Sequence, residues 1–186
     1  LARDIGRVAF PIFCFLLGEG FLHTSSRLKY ARNLFLFALL SEIPFNMVFQ
    51  TDTIWDPTHQ NVYFTLLFGF LGMCAFEKFR EQPLMQLLCL GAIYYVTMVF
   101  NADYGVKGYL LILILYFLRE QKTAQTMLAC ISLYWEWKAC YAFLSINMYN
   151  GERGFIRGKA GKYFFYLFYP LHLLLLVTLR YYLFLR

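Results

Sequence analysis

An all-α bundle of membrane-spanning helices is the fold class this sequence predicts, and three observations carry the expectation. Of its 186 residues, 60% are hydrophobic, 21% aromatic and only 15% charged, against about 45–50% apolar and about 25% charged in soluble domains. A soluble unit of this size has too much water-facing surface to hide so many Phe, Leu and Tyr side chains. The apolar residues also fall into long runs, with the basic residues gathered in the short gaps between them, the usual form of a membrane topology signal. This pattern excludes an ordinary soluble domain, a disordered tail and a disulfide-stapled secreted module.

Measured at 1.5 Å per residue against a hydrocarbon core of about 30 Å, seven runs are candidate spans: 6–23, 33–49, 61–77, 84–101, 105–118, 124–148 and 163–184. The shorter ones suit tilted helices or a thinned bilayer. Ser25–Ser26, Asp56–Pro57, Gln82–Pro83, Asn101–Ala102, Glu120–Gln121 and the Gly-rich stretch 151–161 separate them. Pro11, Pro44 and Pro170 fall inside runs, where membrane helices accept proline. The run 124–148 has two readings: one span, or two short segments with a turn at Trp135–Lys138, where Trp135, Glu136, Trp137 and Lys138 otherwise look like an interfacial aromatic belt. The chain opens at Leu1 rather than Met, and the expectation is one integral membrane domain over 1–186 with a first helix upstream.

Charge sets the orientation. The gaps with Arg27, Lys29 and Arg32, with Lys78 and Arg80, and with Arg119 and Lys122 alternate with gaps poor in cations, so the positive-inside rule assigns them to the cytoplasm. The gap 149–162 breaks the alternation, because Arg153, Arg157, Lys159 and Lys162 fall on the side that alternation makes external. The net charge of +6 does not point to nucleic acid, since no basic stripe interleaves with exposed aromatics. Cys14, Cys74, Cys89, Cys130 and Cys140 are scattered singly, which supports neither a disulfide framework nor a zinc or other metal site.

Ionisable groups inside spans are expensive and therefore functional candidates. On this topology Arg7, Glu42, His59 with Gln60 and Asn61, Asp103 with Tyr104, Asn150 with Arg153, and Tyr169 with His172 all come to the outer level of the membrane. Polar residues at helix ends also satisfy free backbone groups, and His59 fits such a cap-region role. His172 is flanked by Leu171, Leu173 and Leu174, which favours function. At the inner end Glu19 and His23 are spaced i, i+4, a local pair. A histidine beside a carboxylate is a general-base arrangement, and an arginine or asparagine can steady an oxyanion. No phosphate-binding glycine loop, Gly-x-Ser-x-Gly or His-Glu-x-x-His pattern is present, which disfavours serine or zinc hydrolysis.

Several segments resemble the TraX family. They are Asp4 to Phe13 with Glu19 to Thr24, Ser41 to Phe45, His59 to Leu66, Ala102 to Gly105, Tyr149 to Gly154 and Phe168 to His172, in order along nearly the whole chain. TraX proteins are bacterial polytopic membrane proteins named for one that acetylates the N-terminus of conjugative pilin, and they look like relatives of the transmembrane acyltransferases. The resemblance implies a multi-pass protein of the bacterial cytoplasmic membrane. It would move an acetyl group from cytoplasmic acetyl-CoA to an amine or hydroxyl acceptor such as a pilin N-terminus, peptide or glycan. It implies that Arg7, Glu42, His59, Asn61, Asp103, Arg153 and His172 line the active site, with Gln60, Tyr104, Asn150 and Tyr169 holding acceptor or oxyanion. Glu19 and His23 would flank the donor, whose phosphates would meet Arg27, Lys29 and Arg32. The family usually carries an upstream helix ending in an Asp-His pair; where that pair is the base, His59 and His172 support it. The other function classes are a small transporter or channel and a non-catalytic assembly factor for a surface structure.

Overall fold

The computed structural model describes residues 2–49, 58–152 and 158–184. Among them every named element is helical: α1 (Ala2–His23), α2 (Arg27–Phe49), α3 (Val62–Lys78), α4 (Pro83–Phe100), α5 (Gly105–Phe117), α6 (Lys122–Ser132), a 3-10 turn (Tyr134–Tyr141), α7 (Ala142–Asn147) and α8 (Gly158–Phe184). Pro11, Pro44 and Pro170 lie inside α1, α2 and α8, and Pro83 opens α4, where its missing N–H costs nothing.

α3 is the centre of the bundle. Every residue from Tyr63 to Phe70 is buried, and α1, α2, α4 and α5 all pack on it. The α1–α3–α5 contact depends on Gly108, where an added Cβ would come within 2.6 Å of Thr65 and 2.8 Å of Phe10. Small residues at such crossings let backbones approach without a hydrophobic drive from water. α4 is the opposite case: only Thr97 is fully buried, Leu90 and Ile93 pack against the core, and most of its other apolar side chains are exposed, the expected state of a helix with one side in lipid.

Among the described residues, three helices are long and apolar enough to cross a membrane, within Gly6–His23, Pro83–Phe100 and Tyr163–Leu183. The membrane-like, all-helical character therefore holds, with three of the expected spans meeting the length and hydropathy of a crossing helix. The run 124–148 is not one span. α6 stops at Ser132, the chain breaks at Glu136 (φ −143°, ψ 54°), and α7 comes back, so that Asn147 and Thr126 hydrogen-bond side chain to side chain at 3.1–3.3 Å. Cys140 Sγ approaches the Cys130 carbonyl at 3.9 Å in the same hairpin, a pairing across ten residues that spacing does not reveal.

The hairpin removes the charge anomaly. Asn150 and Gly151 share a cavity with Arg119 and Lys122, so the chain after α7 emerges at the same basic end as the 118–121 turn. α8 then runs parallel to α2: Tyr166 stacks on Phe37 at 4.9 Å and Arg180 donates to the Val48 carbonyl. This reverses the direction expected for 163–184, while His172 lies inside the helix, as its flanking leucines suggest.

A buried polar cluster as the candidate active site

Away from the basic end, two short non-helical strands of chain meet inside the bundle. Gln60 pairs in parallel with Ala102, Gln60 N–H donating to the Asn101 carbonyl and Asp103 N–H to the Gln60 carbonyl at 3.2 and 2.7 Å. Irregular backbone at membrane depth is viable only when protein or a cavity encloses it, and Gln60, Asn61 and Ala102 are buried. The turn into α5 is strained as well, with Asn101 at φ 49° and Tyr104 at φ 61°. A positive φ is unusual for a tyrosine. Its ring is held by stacking on Phe10 at a centroid distance of 3.6 Å, and strain of this kind concentrates at functional sites.

Asn61 organises the cluster. Its Oδ1 caps α3 by accepting from Tyr63 N–H at 3.0 Å, as an N-cap side chain should. Its Nδ2 donates to the Ala38 carbonyl at 2.7 Å and to Glu42 Oε2 at 2.5 Å, which ties α3 to α2. Glu42 is 1% exposed, and its other oxygen, Oε1, is buried with no hydrogen-bond partner, as is Ser41 Oγ. A buried acceptor left unpaired costs on the order of 1–3 kcal/mol, more for a charged group. Such an oxygen is a vacant contact point for a substrate or a proton.

Around this pair the structure brings together most of the residues singled out by sequence. His59 lies against Phe45 at 5.6 Å and acts electrostatically on Asp103. Burial pushes the Asp103 carboxyl up, while His59 and the Tyr104 N–H pull it back. Tyr169 receives the Val62 N–H, lies within electrostatic reach of Asp103 and Glu42, and meets Tyr63 edge to face at 5.3 Å. Arg7 is paired at 2.6 Å with Glu136 from the tip of the hairpin, beside Trp135, which contacts Tyr104 and lies under Lys107.

Other expected residues sit elsewhere. Asn150 is at the basic end, because the hairpin turns back, and Arg153 lies outside the described residues. His172 contacts Phe168 and Tyr169 of its own helix, its Nδ1 against the Phe168 carbonyl. The His23 ring bonds the Glu19 carbonyl rather than its carboxylate, at 2.9 Å. Arg27 stacks over Phe21 at 4.3 Å, while Lys29 and Arg32 are exposed. Three contributors escaped the sequence reading. Glu136 looked like part of an aromatic belt, Ser41 is hidden beside Glu42 in an apolar run, and Thr65, fully buried, donates to the Asp103 carbonyl.

A bundle of apolar helices that encloses broken backbone and a carboxylate–amide pair defines a helical membrane protein with an internal polar site. The matches to known proteins give the family: the sequence model described as TraX protein matches residues 2–180, and the chain belongs to the TraX family. It is also 26% identical, over 96% of its length and 82% of the relative's, to a probable fimbrial assembly protein FimC, serogroup H1, of Dichelobacter nodosus. No solved structure matches.

Proposed function

We propose that this protein is a membrane-embedded acyltransferase that moves an acetyl group from acetyl-CoA to an amine or hydroxyl acceptor. The observation that carries the reading is the enclosed Glu42–Asn61 pair with its vacant Glu42 Oε1, beside His59 and Asp103. The family supports it through the acyl-transfer chemistry that the motif resemblance implies.

In this reading His59, held by Asp103, takes the proton from the acceptor as its nitrogen or oxygen attacks the thioester carbonyl. Arg7 faces the negative charge that develops on the carbonyl oxygen, since both N–H groups of Asn61 are already given to Ala38 and Glu42. The C–S bond breaks, the acyl group passes to the acceptor, and the thiolate leaves with the proton returned by the imidazole. Glu42 orients Asn61 and Tyr169 shapes the acceptor side. The donor comes from the basic end and the acceptor from the opposite side. The membrane is the bacterial cytoplasmic membrane, and an acceptor of the pilin type, another peptide or a glycan is consistent with a relative named for fimbrial assembly.

The test is acetyl transfer or thioester hydrolysis from radiolabelled acetyl-CoA by the purified full-length protein in detergent. Turnover that falls at least about 100-fold in His59→Ala, with folding retained, is the expected result; no turnover with any acceptor class overturns it. The relative's name favours a second reading, an assembly factor without chemistry. That reading expects His59→Ala to leave surface-fibre assembly intact.

A further inference from the structure

At the basic end a cavity of ≈ 340 Å³ opens between α1, the start of α6 and the turn after α7. Its two sides differ in character. Arg119 and Lys122 form one wall, and Lys122 is the first residue of α6, whose N-cap residue Gln121 makes no side-chain cap hydrogen bond. The free N–H groups and positive dipole end of that helix add to the two cations. Arg119 is held in place, its Nη1 donating to the Tyr116 carbonyl and its Nε lying 3.4 Å from Glu120. The other wall is aromatic: Phe15 and Tyr149 meet edge to face at 5.4 Å. Glu19, the acidic residue lining the cavity, is hydrogen-bonded to Tyr149.

We infer that this cavity binds a phosphate-bearing ligand, with the phosphate between Arg119 and Lys122 and an apolar or aromatic body against Phe15 and Tyr149. Arginine offers a planar fork matched to phosphate oxygens and lysine a point charge, and the volume is within the range of small-ligand sites. The cavity is set apart from the Glu42–Asn61 cluster, so the inference stands without the acyl-transfer chemistry. The same chemistry would accept a soluble nucleotide or an anionic lipid headgroup.

The full-length protein is titrated calorimetrically with adenosine 3′,5′-bisphosphate, and anionic lipid retained from nanodiscs is counted by native mass spectrometry. Wild type is compared with Arg119→Ala/Lys122→Ala, with Lys122→Ala alone as a milder variant, and with Lys78→Ala/Arg80→Ala, exposed cations of another basic turn, as a control for bulk charge. The expected result is an affinity loss of at least about tenfold in the double variant, a smaller loss in Lys122→Ala, and none in the control. Loss confined to the nucleotide identifies a soluble ligand, and loss confined to retained lipid identifies a headgroup. Unchanged binding of both probes in Lys122→Ala and the double variant, equal loss in the control, or no binding of either probe by wild type overturns the inference. Acetyl transfer is assayed separately, so failure of the phosphate site does not count against the proposed reaction.

Discussion

The two ends of this bundle treat polar side chains in opposite ways. At the basic end, Lys29, Arg32, Arg80, Glu120 and Lys122 are exposed on turns or first helical residues, where water and salt screen them. At the other end Glu42, Gln60 and Asn61 are buried, as is Thr65; Asn61 is paired to Glu42 Oε2, while Glu42 Oε1 has no hydrogen-bond partner. Exposed charge of the first kind costs little and sets topology. Enclosed polarity of the second kind costs several kcal/mol unless paired, and its presence in so apolar a chain is what motivates the proposed reaction site. Substitutions at the two ends are therefore expected to differ in kind.

The largest effect is expected at Asn61. Asn61→Ala strands the Glu42 carboxylate, the Ala38 carbonyl and the Tyr63 N–H together, and a cost of about 3–5 kcal/mol should abolish recovery of folded protein in a thermal-unfolding assay. Glu42→Gln keeps the volume and a partner for Asn61. It should stay within about 1 kcal/mol of wild type and, because Glu42 only orients Asn61, lower acetyl transfer by less than about tenfold; a loss of about 100-fold would give Glu42 a direct part in proton transfer.

Next comes the Arg7–Glu136 pair, which ties α1 to the hairpin tip. Arg7 is partly exposed and Glu136 is 12% exposed, so either single alanine should cost about 1–2 kcal/mol, below the cost of breaking a fully buried pair. The exchange Arg7→Glu/Glu136→Arg should recover over half of that in thermal stability. No recovery would mean the two side chains act separately.

Asp103→Asn separates stability from function. A carboxyl pushed up by burial favours the protonated fold, so its contribution is present at low pH and lost as pH rises through the folded-state value. At neutral pH the asparagine variant should melt about 2–4 °C higher while losing transfer, and its midpoint should not rise on acidification as wild type does. A neutral-pH midpoint below wild type would sink this. Smallest of all, Lys29→Ala or Arg32→Ala should change stability by no more than about 0.5 kcal/mol. A larger change would erase the contrast between the two ends.

Most of the helices were legible because long apolar runs bounded by Ser, Pro, Asn and basic residues have one economical conformation in lipid. The limits of α1, α3, α4 and α5 fall within a few residues of the runs 6–23, 61–77, 84–101 and 105–118. The site was legible in part: the approach of His59, Asn61, Asp103, Tyr104 and Glu42 followed from helix direction, whereas Tyr169 joins them on a helix that runs opposite to the expected direction. The run 124–148 was legible only as two alternatives, one span or two segments turning at Trp135–Lys138, because apolar content does not distinguish a span from a hairpin whose outward side is also apolar. Its turn depends on the break at Glu136 and on that carboxylate finding Arg7, 129 residues away.

By itself the sequence determined the solvent of this protein, the helical class, the basic end and the family, since composition, run length and motif order need no partner to be read. The tertiary structure decided which polar residues meet. It turned Asn150 back to the basic end and set α8 parallel to α2. It also placed Asn61 against Glu42, with one carboxylate oxygen unpartnered. The physical reason is that burial and pairing are properties of packed neighbours. In a membrane protein, where nearly every side chain is apolar, those few pairings carry the information that hydropathy leaves out.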